Sequence, residues 1–195
     1  MATPWDNIGI KKGQGGAGKV TEEQKNALIE RAVTTWEEMG VKDPAQLAFG
    51  IAMMGLESGF NPHARGSSKT ERGLGQFIDD TWGDAVKRYN KHHWPPVDPV
   101  KGRDDYDSQI RVIGAWIPYV WQKAGEIAAD RNLKGYGPQQ VAYSKWNKGQ
   151  NADAEKVGAF LKENWKNPNI GGYFDTTYSR ALQGLELRKS AGGTR

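Results

Sequence analysis

The sequence predicts a mainly α fold. Three observations carry this: apolar residues recur at helical spacing along most of the chain, helix start signals precede those stretches, and alternating strand patterns are scarce. With 195 residues, the chain is long enough for one domain with a full core and short for two. No internal repeat is visible. The expected organisation is a flexible leader over 1–20, one domain over 21–188 and a frayed tail over 189–195.

The elements follow in order. Thr21 with Gln24 three positions on is a capping box, and Leu28, Ala32 and Trp36 then share one helical face up to Gly40. Asp43-Pro44-Ala45-Gln46 is a second start signal, an N-cap with Pro at the first helical position. The helix it opens carries ten uncharged, mostly apolar residues, 47–56, and is expected to be buried on most sides. Ala48, Ala52 and Gly55 form a stripe on it that admits a second backbone. Gly59 and Pro62 close it. Residues 61–78 read as loop. A short helix follows, for which Asp79, Asp80 or Thr81 is the expected cap. Residues 92–105 read as an irregular connection.

From Ser108 the helical pattern resumes through Ile110, Ile113, Ile117, Val120 and Ala124, and Pro118 is expected to kink or split it. Gly137-Pro138 opens another helix to about Trp146. Asn151 is the expected cap of one more, ending near Asn164.

Composition excludes several classes. Cys is absent, which removes disulfide scaffolds, thiolate zinc sites and a cysteine nucleophile. The longest apolar run is about half of the ~20 residues that cross a bilayer, so no stable membrane insertion is expected. No secretory signal is legible, because glycines follow Lys11-Lys12 where an apolar stretch would stand. The net charge of +4 suits an anionic partner. Eight tryptophans exceed ordinary packing needs, and indole faces suit sugar rings. Gly13-Gln14-Gly15-Gly16-Ala17-Gly18-Lys19 approaches a phosphate-binding loop, but Val20 replaces the hydroxyl residue that would hold magnesium, so it reads as a linker. His92-His93 with Asp98, Asp104 and Asp105 has metal-ligand residue types without a ligand spacing, so no metal or cofactor is expected. Basic residues alternate with Trp near Lys145 and Trp165, yet no helix shows a docking motif, so nucleic acid is not the expected partner.

Glu57 carries the most information. It directly follows the apolar run, at the end of a helix that should be buried. Desolvation and the negative end of the helix dipole both disfavour its charged form, which is the environment of a general acid. The plainer reading is a Glu that marks where the helix meets solvent. Its neighbours decide between them: Glu57-Ser58-Gly59-Phe60-Asn61-Pro62-His63-Ala64, then Gly73-Leu74-Gly75-Gln76-Phe77.

These two segments resemble the motifs of the soluble lytic transglycosylases, a family of the lysozyme-like superfamily. The first is Glu-Ser followed by a hydrophobic-Asn-Pro-x-Ala turn. The second is Gly-Leu-Met-Gln, with Gly75 where Met is usual. A third, Tyr-Asn-x-Gly, resembles Trp146-Asn147-Lys148-Gly149, and Tyr178 is the candidate for a late tyrosine. Order and spacing agree from Ala48 to Tyr178, about two thirds of the chain.

The resemblance implies a lysozyme-like single domain that cuts the β-1,4 bond between N-acetylmuramic acid and N-acetylglucosamine of peptidoglycan. It implies Glu57 as acid and then base, with the substrate's own 6-hydroxyl as nucleophile and 1,6-anhydro ends as product. Ser58, Gln76, Asn147 and Tyr178 would support the catalytic carboxyl or hold the sugars. A monomer is expected. A muramidase on the same scaffold is the alternative, and it needs a second carboxylate to aim water. Glu71, Asp79 and Asp80 are the candidates for that role, although Asp79 and Asp80 also fit helix caps. A non-catalytic wall-binding or structural module is the third reading, opposed by the presence of both Glu57 and Gln76. A leaderless member of this family resembles a phage lysis or virion protein that meets the bacterial wall in the periplasm after holin release, virion delivery or secretion.

Overall fold

The computed structural model describes residues 20–66, 70–149 and 151–192. The expected leader, apart from Val20, and the phosphate-loop-like stretch 13–19 lie outside these residues. Seven α-helices are described: α1 Glu22–Glu38, α2 Pro44–Ser58, α3 Asp79–His92, α4 Tyr106–Ile127, α5 Pro138–Lys148, α6 Ala154–Asn164 and α7 Tyr173–Gly192. Short 3-10 turns lie at Lys101–Arg103 and Arg131–Leu133, and a π turn at Pro168–Gly172 precedes α7. Among the described residues the extended pairings are isolated bridges, Arg65 with Arg72 and Arg72 with Phe77. The fold is mainly α, as the periodicity predicts.

The chain divides into two compact units, Met1–Gly40 with Glu57–Ala115, and Val41–Leu56 with Trp116–Arg195. Helices α2 and α4 each contribute to both.

In the first unit, α1 opens with the predicted capping box. The Thr21 hydroxyl accepts the Gln24 N–H at 3.2 Å, and the Thr21 N–H donates to Gln24 Oε1 at 2.9 Å. Its buried face is Leu28, Ala32, Val33 and Trp36. The Trp36 indole N–H donates to the Ile110 carbonyl at 2.8 Å, and the same ring fills the space a Cβ would need at Gly114. This docks α1 on the first part of α4 and explains why residue 114 carries no side chain. On α3, Trp82, Ala85, Val86 and Tyr89 are buried. The loop after α3 is tied back to it: Asn90 exchanges two bonds with the Val97 backbone at 2.7 and 2.9 Å, and Trp82 donates to the Pro99 carbonyl at 2.7 Å.

In the second unit the core is aromatic. Phe49 of α2 meets Trp121, Trp146 and Phe174 edge-on, at centroid distances of 5.7, 6.4 and 6.2 Å. Phe174 also packs against Tyr143, Trp165 and Tyr178. Asp175 accepts the Trp165 indole N–H at 2.9 Å and the Gln140 amide at 3.0 Å. Most of the described tryptophans therefore build core, contrary to the expectation that indole faces are held out for sugars. The exception is Trp94, which is 85% exposed.

Three further expectations are corrected, and one helix was not foreseen. Helix α4 is not split at Pro118, which lies inside it. The proline is exposed, and burial of Trp116, Ile117 and Val120 beside it offsets the roughly 3 kcal/mol that an interior proline costs. Helix α6 is capped by Asp153, whose carboxylate accepts the Lys156 N–H at 2.9 Å, and not by Asn151. Helix α7 was not among the expected elements; Pro168, Gly171 and Gly172, residue types that usually end helices, form the π turn that launches it. It continues to Gly192, into the segment expected to fray. Finally, α3 has Ile78 as its N-cap with no side-chain cap bond. Asp79 and Asp80 are its first two helical residues, where they favour the helix dipole instead.

Candidate active site

Glu57 is the penultimate residue of α2. The residue is half-buried, and its Oε1 atom is closed off from solvent. Ser58 ends the helix, and its carbonyl accepts the Asn61 N–H at 3.1 Å. Between them the chain makes two consecutive left-handed residues, Gly59 at φ +57° and Phe60 at φ +65°. Glycine adopts that region freely, whereas phenylalanine does so at a cost of order 1 kcal/mol. The cost is offset by burial, since Phe60 is only 1% exposed. Lys25 lies over its ring at 5.5 Å. Asn61 then closes an Asx turn by accepting the His63 N–H at 2.9 Å.

The two motif segments are one hydrogen-bonded assembly. The Gly73 N–H donates to the Ala64 carbonyl at 2.9 Å. The Gln76 amide nitrogen donates to the Gly73 carbonyl at 2.7 Å and to the Ala64 carbonyl at 3.3 Å. The donor group of Gln76 thus serves the loop itself, a role its sequence position did not indicate. Gly73 is left-handed at φ +75°, and Gln109 occupies the place a Cβ would take there.

Two buried residues that sequence reasoning missed hold this assembly. Gln109 of α4 is 3% exposed. Its side-chain oxygen accepts the Leu74 N–H at 2.8 Å, and its nitrogen donates to the carbonyls of Pro62 and Arg103, each at 3.0 Å. Arg103 is 8% exposed. Its guanidinium donates to the carbonyls of Thr70 and Phe77 and to the Asp79 carboxylate, and it lies over the Trp82 ring at 5.9 Å. Burial pushes the Arg103 guanidinium below its usual value; Asp79 opposes this, while Arg72 and Arg65 add to it. A signal for Gln109 was present: it is a polar residue in phase with the buried Ile113, Trp116 and Val120.

Of the candidate second carboxylates, Asp79 is engaged by Arg103. Asp80 is exposed in the first turn of α3, and Glu71 is half-buried with its side chain against Gly66. Glu57, Ser58, Glu71, Gln76, Asp79 and Asp80 all belong to the first unit, and Asn147 and Tyr178 to the second. There Asn147 is exposed near the end of α5. Tyr178 is 8% exposed and stacked on Phe174 at 6.3 Å. Its hydroxyl is pushed up by burial and, further, by Asp43 and Glu186.

Three of the residues weighed as metal ligands have other partners. Asp98 accepts the N–H groups of Val100 and Lys101, both at 2.8 Å, which hold its carboxyl below the usual range. Asp105 accepts the Ser108 N–H and hydroxyl at 2.9 and 2.6 Å. His93 stacks on Tyr89 at 5.2 Å. Among the described residues no three His, Cys, Asp or Glu side chains are grouped to hold a metal ion, and no helix is long and apolar enough to cross a membrane.

No protein-family model, curated protein or solved structure matches the chain.

Proposed function

We propose that the chain is a lysozyme-like peptidoglycan lyase, a lytic transglycosylase acting on the bond between N-acetylmuramic acid and N-acetylglucosamine. One observation carries the reading. The Glu57 carboxyl, with one oxygen withdrawn from water, begins a turn that is hydrogen-bonded to the Gly73–Gln76 segment through Ala64. The two stretches that carry the family resemblance are thus a single built feature.

In this reading Glu57 gives its proton to the glycosidic oxygen as the C1–O bond breaks. Positive charge develops at the muramic anomeric carbon. The 6-hydroxyl of the same sugar attacks that carbon and returns its proton to the Glu57 carboxylate. No water enters, so one carboxyl serves both steps. The engagement of Asp79 by Arg103 occupies one of the three carboxylates with which a hydrolase could hold a water. Ser58 and Gln76 act in shaping the turn.

Mass spectrometry of products from purified peptidoglycan tests this. Ends about 18 Da lighter than hydrolysed ones, the mass of the water not added, are expected. Reducing ends would replace the lyase by a muramidase, and intact glycan strands would remove the enzyme reading altogether.

A further inference from the structure

Arg65 and Arg72 face each other across the hairpin that joins the two motif segments. The bonds from Gly73 N–H to Ala64 O and from Gly66 N–H to Glu71 O, at 2.9 and 3.1 Å, flank this pair and do not join it. That is the closer of the two antiparallel pairings. Both side chains leave on one face, with Cβ atoms about 4.5–5.5 Å apart. Like charges directly opposite each other are destabilising.

The surrounding groups leave this repulsion in place. Asp79 is taken by Arg103, and Arg103 itself adds a third positive charge close enough to be affected by the other two. Glu71 is on the wrong side: its side chain packs against Gly66, on the hairpin face opposite Arg65 and Arg72. Neither Arg65 nor Arg72 forms an ion pair with a described residue. The Arg72 Nε–H is buried without a hydrogen-bond acceptor, a donor group whose burial costs about 1–3 kcal/mol when unmet.

We infer that Arg65 and Arg72 form a binding site for a carboxylate, and that its source is the stem peptide of the wall polymer. The planar guanidinium fork matches the two oxygens of a carboxylate, and two forks on one face hold it against the hairpin that follows Glu57. This rests on the peptidoglycan reading, because there the carboxylates hang beside the glycan being cut. The pair would then select strands that still carry peptides.

Two measurements test it on the whole chain. The first is calorimetric titration with a soluble stem tetrapeptide, the same peptide with its carboxyls amidated, and inorganic phosphate. The free-carboxylate peptide should bind the wild type. Binding should weaken at least about tenfold in Arg65→Ala/Arg72→Gln, while Arg188→Ala/Lys189→Ala, which removes the same charge from α7, should leave it unchanged. Equal binding of the amidated peptide, or unchanged binding by the double variant, overturns the site. Phosphate binding tighter than the peptide overturns the stem-peptide assignment.

The second is kinetic. Arg65 is exposed, so Arg65→Ala should fold normally, as circular dichroism would check. On peptide-bearing strands its KM should rise several-fold to about tenfold with kcat held. On strands stripped of peptide by an amidase both constants should match the wild type. A KM rise of the same size on stripped strands overturns the inference. If the wild type cuts no peptidoglycan, the lyase reading falls and the titration alone decides the arginine pair.

Discussion

Gln109 accepts the Leu74 N–H through its side-chain oxygen at 2.8 Å, reaching across 35 positions of the chain. The other end of the same amide donates to Pro62, so one side chain fixes the spacing between the turn after Glu57 and the loop that holds Gln76. An amide suits this position because it offers an acceptor and two donors in one plane. A carboxylate would set negative charge against two carbonyl oxygens.

Replacement of Gln109 tests that account. Gln109→Met keeps the length of the side chain and removes every bond it makes. The Leu74 N–H and the carbonyls of Pro62 and Arg103 lose their partner, and unfolding free energy should fall by about 2–4 kcal/mol. Hydrogen exchange at the Leu74 amide should accelerate well below the global transition. Unchanged exchange there would mean that the loop holds its shape without α4.

Glu57→Gln separates chemistry from folding. The amide preserves shape and removes the transferable proton. Lysis of permeabilised Gram-negative cells should drop by about two to four powers of ten, with thermal stability near that of the wild type. Lysis close to normal would contradict every enzymatic role for this residue.

Asp79 and Asp80 are neighbours with different expected behaviour. Asp79→Asn weakens the bond to Arg103, whose guanidinium is buried while Asp79 itself is 57% exposed. A loss of about 1–2 kcal/mol in stability is expected, reduced by that exposure. Turnover measured well below the unfolding temperature should survive. Asp80→Asn should alter neither quantity. A fall of orders of magnitude in turnover for Asp80→Asn would point to a water-directing carboxylate and a hydrolase.

His93 gives the fold a pH dependence of definite sign. Burial against Tyr89, and further the nearby His92, hold its imidazole below the usual value. The unfolded chain therefore takes up a proton at a higher pH than the folded one. Stability from this group is fully present above the ordinary histidine range and declines as pH falls through it. The melting temperature of the wild type should drop more between about pH 7.5 and 5.5 than that of His93→Gln. Parallel curves for the two proteins would contradict the assignment.

Local chemistry was legible in the sequence where its partners are local. Thr21 with Gln24, and Asp43 with Pro44, specify helix starts within four residues, and both helices begin where those signals stand. Glu57 was legible because an apolar run ends on it. The brace around the candidate site was not, because Arg103 reaches Asp79 and Thr70 from 24 and 33 positions away and Gln109 reaches Pro62 from 47. The same distance effect misdirects the reading of Asp79: a local rule assigns it to a cap, while a remote guanidinium takes its carboxylate. Helix α7 was obscured differently, since its charged and apolar residues do not segregate and its start is marked by residues that usually end helices.

The left-handed Phe60 narrows what can ever stand at that position. Glycine would relax the backbone but empty the cavity that the ring fills, and a branched side chain such as Ile or Val would fill space but resist the dihedral. Large residues without a branch at Cβ fill the space and pay the smaller dihedral cost. In a saturation library selected for folding, position 60 should therefore keep Phe, Tyr, Leu and Met and lose Gly, Ile and Val together. That pattern matches neither a hydrophobicity scale nor a turn-propensity scale, and it would mark the turn beside Glu57 as a structural bottleneck for drift.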